Sequence, residues 1–328
     1  MTTTAPPRPG DLSGVGRRLA ALLETRFGTA KAVLARAWPW VRVVAAVGVL
    51  VVLGVRLGTG AVLAGVRAVD LPAVLAAVGI GVVTTVCAAG RWVLVARGLG
   101  LALSARDAVA DYYRGLLLNA VLPAGVLGDV QRAVAHGRQS RDVRRGVRAV
   151  VVERFAGQVV LVAIASLVLA TVPTPWHVGP WAAVGGGAAV VGVLALVRSG
   201  VPTRALPGVV VLSAGAVAGH VALFLVAARV AGVTAPPARL VPLVVVALLV
   251  MAVPINVGGF GPREAFLSVA FGAAGLGAAQ GLSTAVGYGV LALAASLPGV
   301  VPLLAGQRRQ APPERLDQPG DHGLALAR

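Results

Sequence analysis

The sequence predicts an all-α integral membrane protein. It should contain about six full transmembrane helices and two interrupted, re-entrant segments, making about eight hydrophobic segments in an inverted repeat. Three observations lead there. The 328-residue chain is 57% hydrophobic, with a mean hydropathy of +0.87. Only 12% of its residues are charged, whereas a soluble domain carries about one quarter. The charges that remain are mostly arginines gathered between apolar runs, the pattern of positive-inside loops.

The net charge of +17 raises nucleic acid as a partner. Aromatic residues are only 4%, too few for a base-stacking surface, and the reading is no nucleic acid. The single cysteine, Cys87, excludes a disulfide framework or a Cys-based metal site within one chain. His136, His177, His220 and His322 are scattered without metal-ligand spacing and read as loop and helix-lining residues. No metal and no cofactor are expected. No G-x-x-x-x-G-K-[ST] loop is present, so ATP hydrolysis by that route is not expected. The first long apolar run begins near Val41, too far from Met1 for a cleavable signal peptide.

In chain order, residues 1–37 form a basic tail. Residues 1–10 are Thr/Pro-rich. Over 11–37 apolar residues recur at helical spacing among arginines, which fits either an interfacial helix on an anionic leaflet or an unstructured tail. A polytopic domain fills 38–306. Runs 40–57, 72–95, 150–172, 181–198, 207–229 and 282–305 approach or reach the roughly 20 apolar residues that span a bilayer. Residues 307–328 form a polar, disordered tail.

Arginine placement sets the orientation. The basic N-terminal tail, Arg97 and Arg106, and the 129–148 segment all belong on the cytoplasmic face. The segment between Arg106 and Arg132 must therefore enter and leave on one face. Its apolar part, from about Leu116 to Val126, is too short to cross. A re-entrant hairpin turning at Pro123, with Gly125 and Gly128, satisfies this. Irregular backbone at that depth is tolerated where it is buried in protein or lines a wet cavity. The second interrupted region, 239–280, begins and ends on the outer face. Its middle carries Pro254, Asn256, Gly258, Gly259 and Gly261, followed by Arg263 and Glu264. It reads as a second re-entrant pair entering from the opposite side, although two short full spans satisfy the same parity. Both termini fall in the cytoplasm, and the membrane is the cell membrane. Interrupted segments at corresponding places in two halves mark an inverted-repeat transporter with a midplane site.

The charges near these breaks are the candidate site. Burying an ion in hydrocarbon costs at least about 2.5 kcal/mol, so they must pair, snorkel or bind. Asp129 and Arg132 lie at i, i+3 and share a helix face if a helix starts after Gly128. Glu153 and Arg154, like Arg263 and Glu264, are neighbours about 100° apart on a helix and should not pair with each other. Cross-pairing is expected instead: Arg154 or Arg263 with Asp129, and Glu153 or Glu264 with Arg132. The substrate-binding set is then Asn119, Asp129, Arg132, Glu153, Arg154, Asn256, Arg263 and Glu264, with the arginines taking a phosphate. A structural salt-bridge network explains the same residues. Tyr112, Tyr113 and Arg114 read as interface anchors. Gly185, Gly186 and Gly187 read as helix-packing residues.

These motifs resemble the flippase-like family built on the transmembrane region of lysylphosphatidylglycerol synthases. That family carries an N-x-x-L-P-x-x-x-G-G-D-x-x-R element, an E-R pair and a later P-x-x-x-G-G-x-G-x-R-E element. Asn119, Leu122, Pro123, Gly128, Asp129 and Arg132 match the first, with Leu127 in place of the first glycine of its pair. Glu153-Arg154 matches the second. Pro254, Gly258, Gly259, Gly261, Arg263 and Glu264 match the third, and Arg91-Trp92 resembles an R-W pair of the family. The resemblance covers roughly 40–306. In the synthases a related domain moves aminoacylated phosphatidylglycerol between leaflets and a separate soluble domain makes it. The resemblance therefore implies a translocator of an anionic or glycosylated lipid, an anionic phospholipid or a polyprenyl-phosphate-linked sugar. A partner transferase is a further expected contact. The chain reads as a non-enzyme, since no soluble catalytic domain or catalytic constellation is recognisable. Two alternatives stand beside this: a membrane-embedded enzyme with Asp129 or Glu264 as general base, and an accessory scaffold for lipid-linked glycosyl or aminoacyl transfer.

Overall fold

The structure, a computed structural model, describes residues 59–121, 127–139, 142–171, 179–252, 261–302 and 304. Among them there are helices and no strands. In order they are α1 (Thr59–Arg67), α2 (Leu71–Gly98), α3 (Ala105–Val121), α4 (Leu127–Gln139), α5 (Val143–Thr171), α6 (Gly179–Arg198), α7 (Leu206–Val230), α8 (Pro237–Ala252), α9 (Pro262–Ala273) and α10 (Ala278–Ser296). Short 3₁₀ turns precede α7 and follow α10.

Five of these elements are long and apolar enough to cross a membrane: α2, α5, α6, α7 with its leading turn, and α10 extended to Pro302. They correspond to five of the six spans expected from the sequence. The sixth, 40–57, lies outside the described residues. Helix α1 was not expected, because nine residues give too short an apolar run to register. Local signals set several boundaries. Asp70 caps α2 by accepting the amide of Ala73 at 2.9 Å, with Pro72 in the first turn. Helix α6 leaves Trp181, Val184, Val190, Val191 and Leu194 exposed, as a lipid-facing surface requires. The main core gathers Phe224, Leu240, Leu267, Leu291 and their neighbours from α2, α7, α8, α9 and α10.

The helices α3 and α4 form a tight antiparallel hairpin. A Cβ on Gly128 would lie 2.2 Å from the carbonyl oxygen of Gly115, so only glycine allows this approach. The Gly128 amide donates to Asn119 Oδ1 at 2.9 Å and closes the inner end. Helices α8 and α9 make the corresponding pair. Arg239, at the start of α8, donates to the carbonyl of Ala274, just past the end of α9. Over the described residues, each arm is shorter than a spanning helix. The expected turn residues Pro123, Gly125, Pro254, Gly258 and Gly259 lie outside the described residues, as does Asn256.

The contacts between helices repeat. Exchanging α1 with α6, α2 with α7, α3 with α8, α4 with α9 and α5 with α10 carries the principal helix contacts onto one another. The contact of α5 with α6 becomes that of α10 with α1, α5 with α8 becomes α10 with α3, and α2 with α7 maps onto itself. Helices α2 and α7 run antiparallel. A Cβ on Gly98 would meet Pro202, one on Gly208 would meet Leu94, one on Gly215 would meet Cys87 and one on Gly219 would meet Thr84. The exchange therefore reverses direction, which makes the two halves an inverted repeat. Small residues at Gly215 and Gly219 let the central pair approach closely. Because α3 follows α2 and α8 follows α7, the two hairpins enter from opposite ends of the bundle.

Of the expected packing glycines, Gly185 meets Ser166 Oγ, where a Cβ would come within 2.3 Å. Gly186 and Gly187 face open space, with nothing within 4 Å. The packing role assigned to those two is corrected: on a helix, three successive residues cannot all face one neighbour.

Candidate functional site

Helices α2, α3, α5, α7 and α10, with Met251 of α8, line a half-open cavity of about 480 Å³. The inner ends of both hairpins reach it, through Asn119 and Ala120 on one side and Met251 on the other. Its charged wall is made by Arg91 of α2 and Arg154 of α5. Neutral polar groups complete it, among them Asn119, Gln158, Ser213 and His220.

Behind that wall lies a buried ion network. Glu153, fully buried, accepts from Arg91 Nε at 2.9 Å and from the Tyr112 hydroxyl at 2.7 Å. Its second oxygen lies 3.6 Å from Arg132. Arg132 pairs with Asp129 at 2.6 Å, and the other Asp129 oxygen takes Arg154. The Arg132 guanidinium, only 1% exposed, is held against Trp92 and Tyr112, 4.8 and 4.0 Å from their ring centres. Gly157 leaves room for Arg91, since a Cβ there would lie 2.8 Å from Arg91 Nη1. Four helices thus contribute to one cluster. Its three guanidiniums face two carboxylates, so the set is cationic.

The second motif stands apart. Arg263 Nε donates to Glu264 at 3.1 Å, and Glu264 also accepts the Gly261 amide at 2.5 Å. Gly261 has φ +104°, a backbone region that favours glycine. The Arg263 guanidinium lies 5.1 Å from the centre of the Tyr288 ring. Neither residue lines the cavity.

The expected pairing is therefore met in one motif and corrected in the other. Arg154 meets Asp129 and Glu153 meets Arg132 across helices. Arg263 and Glu264 pair with each other, because a long side chain in a first helical turn can fold back onto its neighbour. The anchor reading of Tyr112, Tyr113 and Arg114 is also corrected. Both tyrosines are 7% exposed, and Arg114 bonds Asp111 and the carbonyl of Pro302. Tyr112 belongs to the ion network.

A sequence model described as the lysylphosphatidylglycerol synthase TM region matches residues 40–203, half of the chain. The chain belongs to that family. This makes it a multi-pass membrane protein linked to lipid metabolism. No curated protein and no solved structure matches the chain. The family match spans Arg91-Trp92, the first interrupted motif and Glu153-Arg154, so it contains the whole ion network. It ends before α7 and the second motif.

Against this family background, Arg91, Tyr112, Gln158, Ser213 and His220 were not expected at the site. Arg91 had a signal: an arginine inside an otherwise apolar run needs a partner. His220, whose Nδ1 lies 3.1 Å from the Tyr288 hydroxyl, offered no pattern, being one polar residue on an apolar helix.

Proposed function

We propose that this chain is a lipid translocator of the cell membrane, with both termini cytoplasmic, that moves an anionic or glycosylated lipid between leaflets. The supporting observation is the cavity between two oppositely directed hairpins whose wall carries Arg91 and Arg154, backed by a cationic cluster. A headgroup phosphate inside hydrocarbon needs such charge-assisted donors in place of water. The acyl chains need no cavity, since lipid already surrounds the bundle. The arginines Arg97, Arg144, Arg145, Arg148, Arg198 and Arg204 sit on helix ends or connections at one end of the bundle, where Arg148 also donates to the carbonyl of Ser199. That end fits the cytoplasmic face.

Leaflet exchange in proteoliposomes tests the reading. Fluorescent anionic phospholipids and a polyprenyl-phosphate sugar should exchange selectively with the wild type, and the selectivity should vanish in Arg154→Ala. Absence of exchange for every lipid by folded protein would move the function to a scaffold or a membrane-embedded enzyme.

A further inference from the structure

We infer that the cavity takes a lipid headgroup that bears phosphate and hydroxyls and excludes one that bears an amine. This rests on the translocator reading for the presence of lipid in the cavity. Among the described residues lining it, the charged side chains are Arg91 and Arg154, and neither an aspartate nor a glutamate is present. The two nearby carboxylates do not line the cavity, and each is ion-paired behind its wall. Glu153 is held by Arg91, Tyr112 and Arg132, and Asp129 by Arg132 and Arg154.

An ammonium entering this space meets two guanidiniums at the wall; their carboxylate partners lie behind them, and the cluster as a whole keeps a net positive charge. Arg91 is buried, so its repulsion of a second cation is screened less than in water. A phosphate meets the opposite situation. Arg154 keeps 49% of its side chain exposed although it pairs with Asp129, so it can also engage a ligand. Beyond the arginines the polar lining is neutral. Asn119, Gln158, Ser213 and His220 suit hydroxyls, which both donate and accept, because each has donor or acceptor capacity beyond the bonds it already makes to Gly128, Arg91 or Tyr288. The 480 Å³ volume falls within the range of about 300–1,000 Å³ typical of ligand sites, and leaves room for a glycerol or sugar beside the phosphate. Phosphatidylglycerol and a polyprenyl-phosphate-linked sugar both present this chemistry.

Equilibrium binding of short-chain lipids to the purified full-length chain in nanodiscs tests the inference. The probes are phosphatidylglycerol, lysyl-phosphatidylglycerol and a polyprenyl-phosphate sugar. At least one amine-free probe should bind about tenfold or more tightly than lysyl-phosphatidylglycerol, and the tighter of the two names the lipid source. Arg154→Gln should erase the preference. Gln158→Glu, which adds a carboxylate to the wall, should shift it toward the lysyl lipid, so a poorly folded Arg154 variant does not decide the matter. Equal or tighter binding of lysyl-phosphatidylglycerol by the wild type overturns the inference. Leaflet exchange on the same preparations separates the two readings. Selective binding without exchange removes transport and leaves the selectivity. Equal exchange and equal binding of all three lipids leaves transport and removes the selectivity.

Discussion

The two hairpins share a proline, a glycine and an arginine at the same spacing and use the arginine differently. Pro123, Gly128 and Arg132 recur as Pro254, Gly259 and Arg263, and both arginines are 1% exposed beside a tyrosine ring. In the first hairpin the arginine reaches outward. Its carboxylate partners are Asp129 on its own helix and Glu153 on α5, and Glu153 in turn holds Arg91 on α2. In the second, the carboxylate seen among the described residues is the next residue, which also caps its own helix. One hairpin is thus tied by charge to the scaffold and the cavity wall, while the other secures its own first turn. A shared sequence pattern does not imply a shared task.

That contrast can be broken most forcefully at Glu153. Glu153→Gln leaves two buried arginines short of a counter-charge and should cost about 3–5 kcal/mol, read as a loss of thermal stability of the purified protein in detergent. Glu264→Gln should cost less, since one guanidinium depends on it and the amide oxygen can still accept from Gly261. If the second variant is the more damaging, the contrast is wrong. Next in size is the hairpin contact itself. Gly128→Ala places a methyl 2.2 Å from the Gly115 oxygen and should cost about 1–3 kcal/mol by overpacking. Gly186→Ala, in open space, supplies the baseline and should change stability by no more than about 0.5–1 kcal/mol. The smallest stability effect belongs to Arg154→Gln. The residue is half-exposed, so its loss should cost about 1 kcal/mol or less, yet headgroup selectivity should disappear. Glu264→Gln should retain that selectivity in exchange assays, because it does not line the cavity.

The spans were legible because twenty consecutive apolar residues have few alternative structures. The interruptions were legible because Pro, Gly and charge cannot continue a lipid-facing helix. Helix α1 was not, being shorter than any useful hydropathy window. At the site, Asp129 with Arg132 followed from i, i+3 spacing, and the crossing to Glu153 and Arg154 followed from charge balance. The Arg263–Glu264 pair was missed because ideal helical directions were applied to a first turn, where side chains have room to fold back. Tyr112 was misread because aromatic residues near charges are common at membrane interfaces, and nothing local distinguishes a buried hydroxyl bonded to Glu153. Gln158, Ser213 and His220 meet only through the tertiary packing of α5 and α7.

The antiparallel pairing of α2 with α7 has a consequence for motion. On the translocator proposal, two halves related by reversal of direction supply a second conformation: each half taking the shape of the other would present the same cavity toward the opposite side of the bilayer. The α2–α7 seam, mapping onto itself under that swap, is the part that need not change. A translocator built this way would have a fixed spine and two interchangeable doors.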